Sequence, residues 1–520
     1  MGKRAIALVA VGAAALAAGS AGGTPAQTGT SDFGARCEVL TGQRMGEVVI
    51  TSAEFLPEGR TIPAGFGGPE VQMPPHCLVT GTINRRTGAG GVEYGIGFEL
   101  ALPLEWTGRY LLQGGGGLNG SVRPPVGPVA AGADNALARG FAVASHDSGH
   151  RGAVFDNSFY ADQRAALNFA EASVRTVTLA TRAITAQFYQ ADPHHSYMTG
   201  CSTGGREGML ASQRYPELFD GIVVGAPAMR PGHGNLAIEL AQVQLNATQP
   251  AGTSTPAGFD ATERRVIERE LTRQCDGRDG REDGIIANVE ACRAFDPSAL
   301  QCRAGQTGGQ TSECIASPKV EVLREAFAGR DFYTAIPWDT GITYNGPGIA
   351  GYLPSGQPGP FGPATSARAM DEAARLRELE WDAVGRLTDT AYWTNLSTYL
   401  GRGSKIMYYH GVSDPWFSAY DTWDYFERAR EANGAEAWDQ AARFYMMPGM
   451  LHCGGGESFD RIDLLTAMVE WVEGGTAPAG LTATRSSGAP GERPLCPHPA
   501  YPHYVGGDPD TAASYACRGG

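Results

Sequence analysis

The sequence predicts an α/β fold: a mostly parallel sheet with helices on both faces, interrupted by one large insertion. Three observations predict it. Short apolar runs alternate with helical periodicity between Arg109 and Pro227. After Pro227 the chain turns rich in Gly, Thr, Asp and aromatic residues. Apolar runs then return at "SKIMYYHGVSDPWFS" (404–418) and "ARFYMMPGMLHC" (442–453). At 520 residues and 42% hydrophobic, the chain is long enough for a large core and more than one domain.

The elements follow in chain order. Lys3 and Arg4 precede an apolar run at 5–18 and the small pair Ser20-Ala21, the pattern of a secretory signal peptide over residues 1–21. That run is too short to span a bilayer, and no later stretch reaches the about 18 uninterrupted apolar residues a span needs. The expectation is an exported protein, secreted or periplasmic. "RYLLQGGGGLNG" (109–120) reads as a strand entering a glycine loop, and "GFAVASHDSGHRG" (140–152) as a strand ending in a polar loop. Residues 162–190 have helical spacing. "HSYMTG" enters a turn that "GREGMLASQRYPELF" leaves as a helix, and "DGIVVGAP" (220–227) is a buried strand. Residues 22–227 and 403–520 are thus assigned to the sheet domain. Residues 228–402 are assigned to an inserted domain, a lid over the active face. A loop-rich tail starts at Pro478.

Ten cysteines, an even number, imply five bridges in an exported chain. Sequence alone does not fix the pairing. Locality suggests Cys37–Cys77, Cys275–Cys292, Cys302–Cys314 and Cys496–Cys517, because short loops close easily. Cys201 and Cys453 are left over. The net charge of −14 argues against nucleic acid and anionic membrane surfaces as partners. There is no internal repeat and no low-complexity tract.

Cys201 precedes the serine of "GCSTG" (200–204), a G-x-S-x-G pattern between a predicted strand and a predicted helix. That context belongs to a nucleophile elbow. A serine hydroxyl needs a base, normally His, oriented by an acid, and on such folds the order is Ser, acid, His. Asp414 ends one later strand and His452 the next, so Ser202, Asp414 and His452 are the predicted triad. Asp421 and Asp424 are rival acids, read as solvated on a following helix. His410 is read as lining the pocket, and His146 and His150 as structural. For the oxyanion hole, the residue after the nucleophile supplies one N–H, Thr203, and the glycine loop the other, Gly116. Trp416 and Phe417 follow Asp414 closely enough to pack on a substrate ring, with core packing the alternative. Trp338, Tyr344 and Tyr352 are looser candidates.

"CDGRDGREDGIIANVEAC" (275–292) sets Asp276, Asp279 and Asp283 among glycines. Three carboxylates in a tight loop suit Ca²⁺, with the carbonyls of Arg281 and Ile285 available to complete the shell. A solvated Asp-Gly turn is the alternative.

Together "GCSTGGREG", "YHGVSD", "LHCGGG" and "CDGRDGREDGII" resemble the tannase and feruloyl esterase family of secreted serine esterases. That family includes the bacterial mono(hydroxyethyl) terephthalate hydrolases. The resemblance covers nearly all of the chain after the signal peptide. It implies an α/β-hydrolase core with a lid, the triad above tied by a Cys201–Cys453 bridge, and a lid Ca²⁺ at Asp276, Asp279, Arg281, Asp283 and Ile285. It also implies a small aromatic acyl ester as substrate, feruloyl, galloyl or terephthaloyl. The terephthalate enzymes carry a lid arginine in a segment following Pro-Trp-Asp. Here "IPWDTGITYNGPGIAGYLPSGQPGPFGP" (336–363) has no arginine, which favours a phenolic ester.

Overall fold

The computed structural model describes residues 30–63, 70–306, 308, 313–343, 352–358 and 362–519. The predicted signal peptide and Tyr344 lie outside these residues. Among the described residues, twelve strands precede the tail: β1 (Arg44–Met45), β2 (Val48–Leu56), β3 (Thr61–Pro63), β4 (Glu70–Gln72), β5 (His76–Thr87), β6 (Glu93–Pro103), β7 (Arg109–Gln113), β8 (Ala142–His146), β9 (His195–Cys201), β10 (Gly221–Gly225), β11 (Lys405–Gly411) and β12 (Ala442–Met447). Ten form one sheet in the order β1-β2-β5-β6-β8-β7-β9-β10-β11-β12, while β3 and β4 pair separately. From β8 to β12 every pairing is parallel. From β1 to β6, and between β6 and β8, every pairing is antiparallel. The sheet is therefore mixed, and the expectation of a mostly parallel sheet holds only for its C-terminal half. Strands β2 and β5 alternate buried and more exposed residues over much of their length, as antiparallel strands with one wetter face do, whereas β6 is buried along most of its length.

Side-chain alternation splits the core between the two faces of the sheet. Leu112, Ala144, Met198, Ile222, Val224, Ile406 and Tyr408 point to one face. There they meet helices Ser173–Tyr189, Thr203–Arg214 and Ala419–Asn433 through Val177, Met209 and Phe426. Leu111, Val143, Tyr197, Val223, Met407 and Tyr409 point to the other, covered by Met468 and Trp471 of helix Leu464–Gly474. The helix predicted across 162–190 carries a π turn at Asn168–Ala172 between its α segments. The buried Arg206 guanidinium donates to Phe169 O and Ala170 O in that turn, at 3.0 and 2.9 Å.

β10 and β11 are neighbours in the sheet, so residues 226–404 form an excursion between adjacent parallel strands. It contains helices Pro231–Ala247, Ala261–Cys275 and Ser317–Ala328 and an apolar cluster of its own, including Leu240, Ile267, Leu271, Ile286 and Leu323. Asp260 and Glu263 form a reciprocal capping box at the start of its second helix. In the tail, Thr482–Thr484 pairs with Glu492–Pro494 and Ala500–Tyr504 with Tyr515–Gly519. All five cysteine pairs are bonded: Cys37–Cys77, Cys201–Cys453, Cys275–Cys292, Cys302–Cys314 and Cys496–Cys517. Among the described residues, no helix is long and apolar enough to cross a membrane.

Candidate active site

Ser202 stands between the end of β9 and helix Thr203–Arg214, with φ +63° and ψ −123°. That left-handed φ is uncommon for a residue bearing a side chain. The turn is tight enough that a Cβ on Gly200 would lie 2.4 Å from Gly204 O, and one on Gly204 2.7 Å from Gly115 O. This crowding explains both glycines of the G-x-S-x-G pattern. Ser202 N donates to Gly225 O, and Ser202 O accepts from Ala228 N, so the turn is anchored to the end of β10.

Asp414, in the turn after β11, is buried. Its Oδ1 accepts from the amides of Trp416 and Phe417 at 2.9 and 3.1 Å. Its Oδ2 accepts from His452 Nδ1 at 2.5 Å. Burial opposes ionisation, but the His452 and His410 rings outweigh it and hold the carboxyl well below the usual carboxylate range. With Nδ1 committed to Asp414, His452 Nε2 is the basic nitrogen. It is buried and hydrogen-bonds to none of the described residues. A serine–histidine hydrogen bond is not formed in this state, and such bonds commonly tighten only with substrate. Trp416 and Phe417 stand edge-on to the His452 ring, at centroid distances of 4.6 and 5.4 Å.

The Cys201–Cys453 bridge, Cα to Cα 5.9 Å, joins the residue before Ser202 to the residue after His452. Cys453, like Ser202, has a positive φ, +69°. Two backbone positions of low intrinsic population are thus linked covalently at their side chains or one peptide away.

Several expected site residues are placed elsewhere or otherwise engaged. His410 does not line a pocket. It is fully buried behind Asp414, its Nε2 facing Phe417 O at 3.1 Å and Asp414 Oδ2 at 3.2 Å, its Nδ1 hydrogen-bonded with the Thr422 hydroxyl at 2.8 Å. Asp421 is not solvated but buried against Arg230. Asp424 pairs with Arg428 on the surface of its helix. Trp338 stacks on Phe327 at 3.9 Å in the core of the insertion. The Tyr352 hydroxyl donates to Trp416 O at 3.0 Å. His146 and His150 are buried. Thr203 opens its helix, where no intrahelical acceptor exists for its N–H. Gly116 N–H is not vacant: it donates to Asn119 Oδ1 at 2.8 Å.

Asp339 is a site residue that sequence reasoning passed over. It is fully buried, and its Oδ2 accepts from Ser413 Oγ and from Gly449 N, both at 2.7 Å. One carboxylate of the insertion thereby ties the acid turn to the histidine loop. Burial raises its pKa against the pull of these bonds. Its only sequence signal was an Asp closing Pro337-Trp338-Asp339.

In the acidic loop, Asp276 Oδ2 accepts from Gly284 N at 2.8 Å, and Asp279 Oδ2 from Ala287 N at 2.7 Å. Asp283 faces Arg493 at 2.9 Å and Arg281 at 3.4 Å. As placed, no group of three His, Cys, Asp or Glu residues is arranged to hold a metal among the described residues. Two observations nonetheless fit a cation. Asp276 Oδ1 is buried without a hydrogen-bond partner among the described residues. Burial also pushes the Asp276 carboxyl up to about 6 and that of Asp279 to about 7.

The sequence profile of the tannase and feruloyl esterase family matches residues 77–374 and 364–518. A mono(2-hydroxyethyl) terephthalate hydrolase of Piscinibacter sakaiensis is 34% identical, over 86% of this chain and 85% of that protein. A probable feruloyl esterase B-1 of Aspergillus flavus is 31% identical, over 79% of this chain and 81% of its own length. The crystal structure of feruloyl esterase B from Aspergillus oryzae superposes with a TM-score of 0.75 at 25% identity, covering 94% of this chain and all of that one.

Proposed function

The chain belongs to the tannase and feruloyl esterase family and is a carboxylic ester hydrolase; on that premise we propose that it is an exported serine esterase of aromatic acyl esters working through an acyl-enzyme. The observation that carries the mechanism is the His452–Asp414 pair, one peptide from a disulfide whose other end is one peptide from Ser202. Ser202 Oγ attacks the ester carbonyl while His452 Nε2 takes its proton. The alkoxide that develops on the carbonyl oxygen is stabilised by Thr203 N–H and Gly116 N–H, the latter shared with Asn119 Oδ1 in a three-centre bond. His452 returns the proton to the departing alcohol. Water, deprotonated by the same nitrogen, then releases the acid. Asp414 stays ionised throughout and balances the imidazolium. Trp416 and Phe417 serve as the face on which the aromatic acyl ring packs.

The favoured substrates are feruloyl, hydroxycinnamoyl or galloyl esters. The Piscinibacter relative supports a second reading, a terephthalate monoester. Steady-state rates on methyl ferulate, methyl gallate and mono(2-hydroxyethyl) terephthalate separate the two. A kcat/KM highest on either phenolic ester supports the first, and one highest on the terephthalate monoester replaces it with the second.

Ca²⁺ is proposed as a structural ion of the insertion, held by Asp276, Asp279, Asp283 and the carbonyls of Arg281 and Ile285. It would supply charge neutralisation for the acidic loop and take no part in the chemistry. The insertion is proposed to act as a lid, since Asp339 and Tyr352 already bind the acid turn. Five disulfides support export to an oxidising compartment.

A further inference from the structure

The glycine loop meets the serine turn through its carbonyls: Gly204 N donates to Gly115 O, and the Thr203 hydroxyl to Gly117 O. Its amides are committed differently. Gly114 N–H donates to Thr199 O at 2.9 Å. Gly115 N–H donates to Glu207 Oε2 at 2.8 Å. Gly116 N–H donates to Asn119 Oδ1 at 2.8 Å, and Asn119 Nδ2 donates to Glu207 Oε1 at 3.2 Å. Glu207 lies one helical turn after Thr203 and is 1% exposed, and Asn119 is 3% exposed. His146 Nε2 stands 3.8 Å from Glu207 Oε2. Arg123 and Arg206 are the other charged groups that feel this carboxylate.

The proposed ester mechanism uses neither Glu207 nor Asn119, yet burying a carboxylate is expensive unless its acceptors are filled. Here both oxygens are filled by the glycine loop. We propose that Glu207 and Asn119 are positioning residues, a polar clamp that fixes the direction of the Gly115 and Gly116 amides and so shapes the oxyanion loop. The inference rests on the ester-hydrolase reading of the site. The logic of donors and acceptors is strict. An ionised Glu207 can only accept, so Asn119 must turn Nδ2 towards it, and Asn119 must then present Oδ1 to Gly116 N–H. One buried charge thereby sets the orientation of an amide it does not touch. Oxyanion donors act by being oriented before the charge forms.

This chain of bonds can be inverted. In Glu207→Gln, an Nε2 donor can face Asn119 Nδ2, and if Asn119 flips, its Nδ2 meets Gly116 N–H. In Asn119→Asp, two carboxylates face each other. In the double variant every donor again meets an acceptor: Gln Oε1 takes Gly115 N–H, Gln Nε2 donates to the Asp carboxylate, and that carboxylate takes Gly116 N–H. The test measures kcat, KM and melting temperature for the four proteins on p-nitrophenyl acetate and methyl ferulate. Each single variant is expected to lose about 100-fold in kcat, the effect of an ångström-scale misplacement, with KM little changed. The double variant is expected to recover most of that loss. Folded single variants with wild-type kcat, or a double variant no faster than the worse single, overturn the clamp. If the single variants do not fold, kcat of the double variant alone decides, recovery supporting the clamp and loss overturning it. Wild-type turnover with unaffected variants sinks the clamp alone. Absence of wild-type turnover on every ester sinks the underlying reading and the clamp with it.

Discussion

Replacing Cys201 and Cys453 together by alanine will lower kcat far more than it lowers the amount of folded protein. The bridge closes a separation of 252 residues. On the chain-entropy view that is worth about 5 kcal/mol as an upper bound, because other bridges already restrain the unfolded chain. The local effect is the larger one for catalysis. Ser202 and Cys453 both hold left-handed backbone conformations, φ +63° and +69°. Such positions cost about 1–3 kcal/mol each and persist only when their surroundings over-determine them. Without the bridge the serine turn keeps its glycine packing and its anchor on Gly225. The histidine loop keeps Asp339 on Gly449 but loses its tie beside His452. A shift of about an ångström in His452 is worth roughly 100-fold in rate. The assay is kcat and KM on material shown folded by near-UV circular dichroism, alongside a mass map of the non-reduced wild-type digest. A folded double variant with full kcat, or a map pairing Cys201 with any cysteine other than Cys453, would refute the reasoning.

Further predictions concern Asp339, Asp147 and the acidic loop. Asp339→Ala leaves Ser413 Oγ and Gly449 N–H buried without an acceptor and will cost about 2–4 kcal/mol together with activity; a variant within a few tenths of wild type in urea denaturation refutes it. Asp147 is raised to about 7, chiefly by burial and against bonds from Gly149 and Gly97. With the folded pKa above the unfolded value, its favourable contribution is complete below about pH 4 and is lost as pH rises through 7. Asp147→Asn will therefore gain stability relative to wild type across that window, by up to about 4 kcal/mol, and a pH-independent difference in melting temperature contradicts this. Chelation will lower the melting temperature more than the initial rate, and protein purified without chelator will carry one calcium per chain by metal analysis; a metal-free sample that melts unchanged in EDTA defeats the proposal.

The parallel half of the sheet was legible because its strands are short apolar runs that end in chemistry, as in "HSYMTG" and "KIMYYHG". The antiparallel half, β2, β5 and β6, escaped. Its strands carry polar residues such as Thr80, Thr82 and Glu99 between buried ones and hold glycines at 81, 95 and 97, so no apolar run marks them. The proposed triad was readable from order and strand ends. The groups that hold it were not. His410 was expected in the pocket because it precedes Asp414, whereas the base should follow the acid in the chain. Its place behind the acid depends on Thr422, twelve residues on, across a helix that sequence does not orient. Asp339 and Glu207 bond to partners 74 to 110 and 88 to 92 residues away, and no local pattern reports such pairings.

The central claim is that Ser202 carries the acyl group. A fluorophosphonate that traps serine nucleophiles, followed by peptide mass spectrometry, measures it directly. The account predicts one label per chain, on the peptide containing Ser202, with activity lost in proportion and neither labelling nor turnover in a folded Ser202→Ala variant. Labelling on another residue, or ester turnover by the folded Ser202→Ala protein at the wild-type rate, would contradict it.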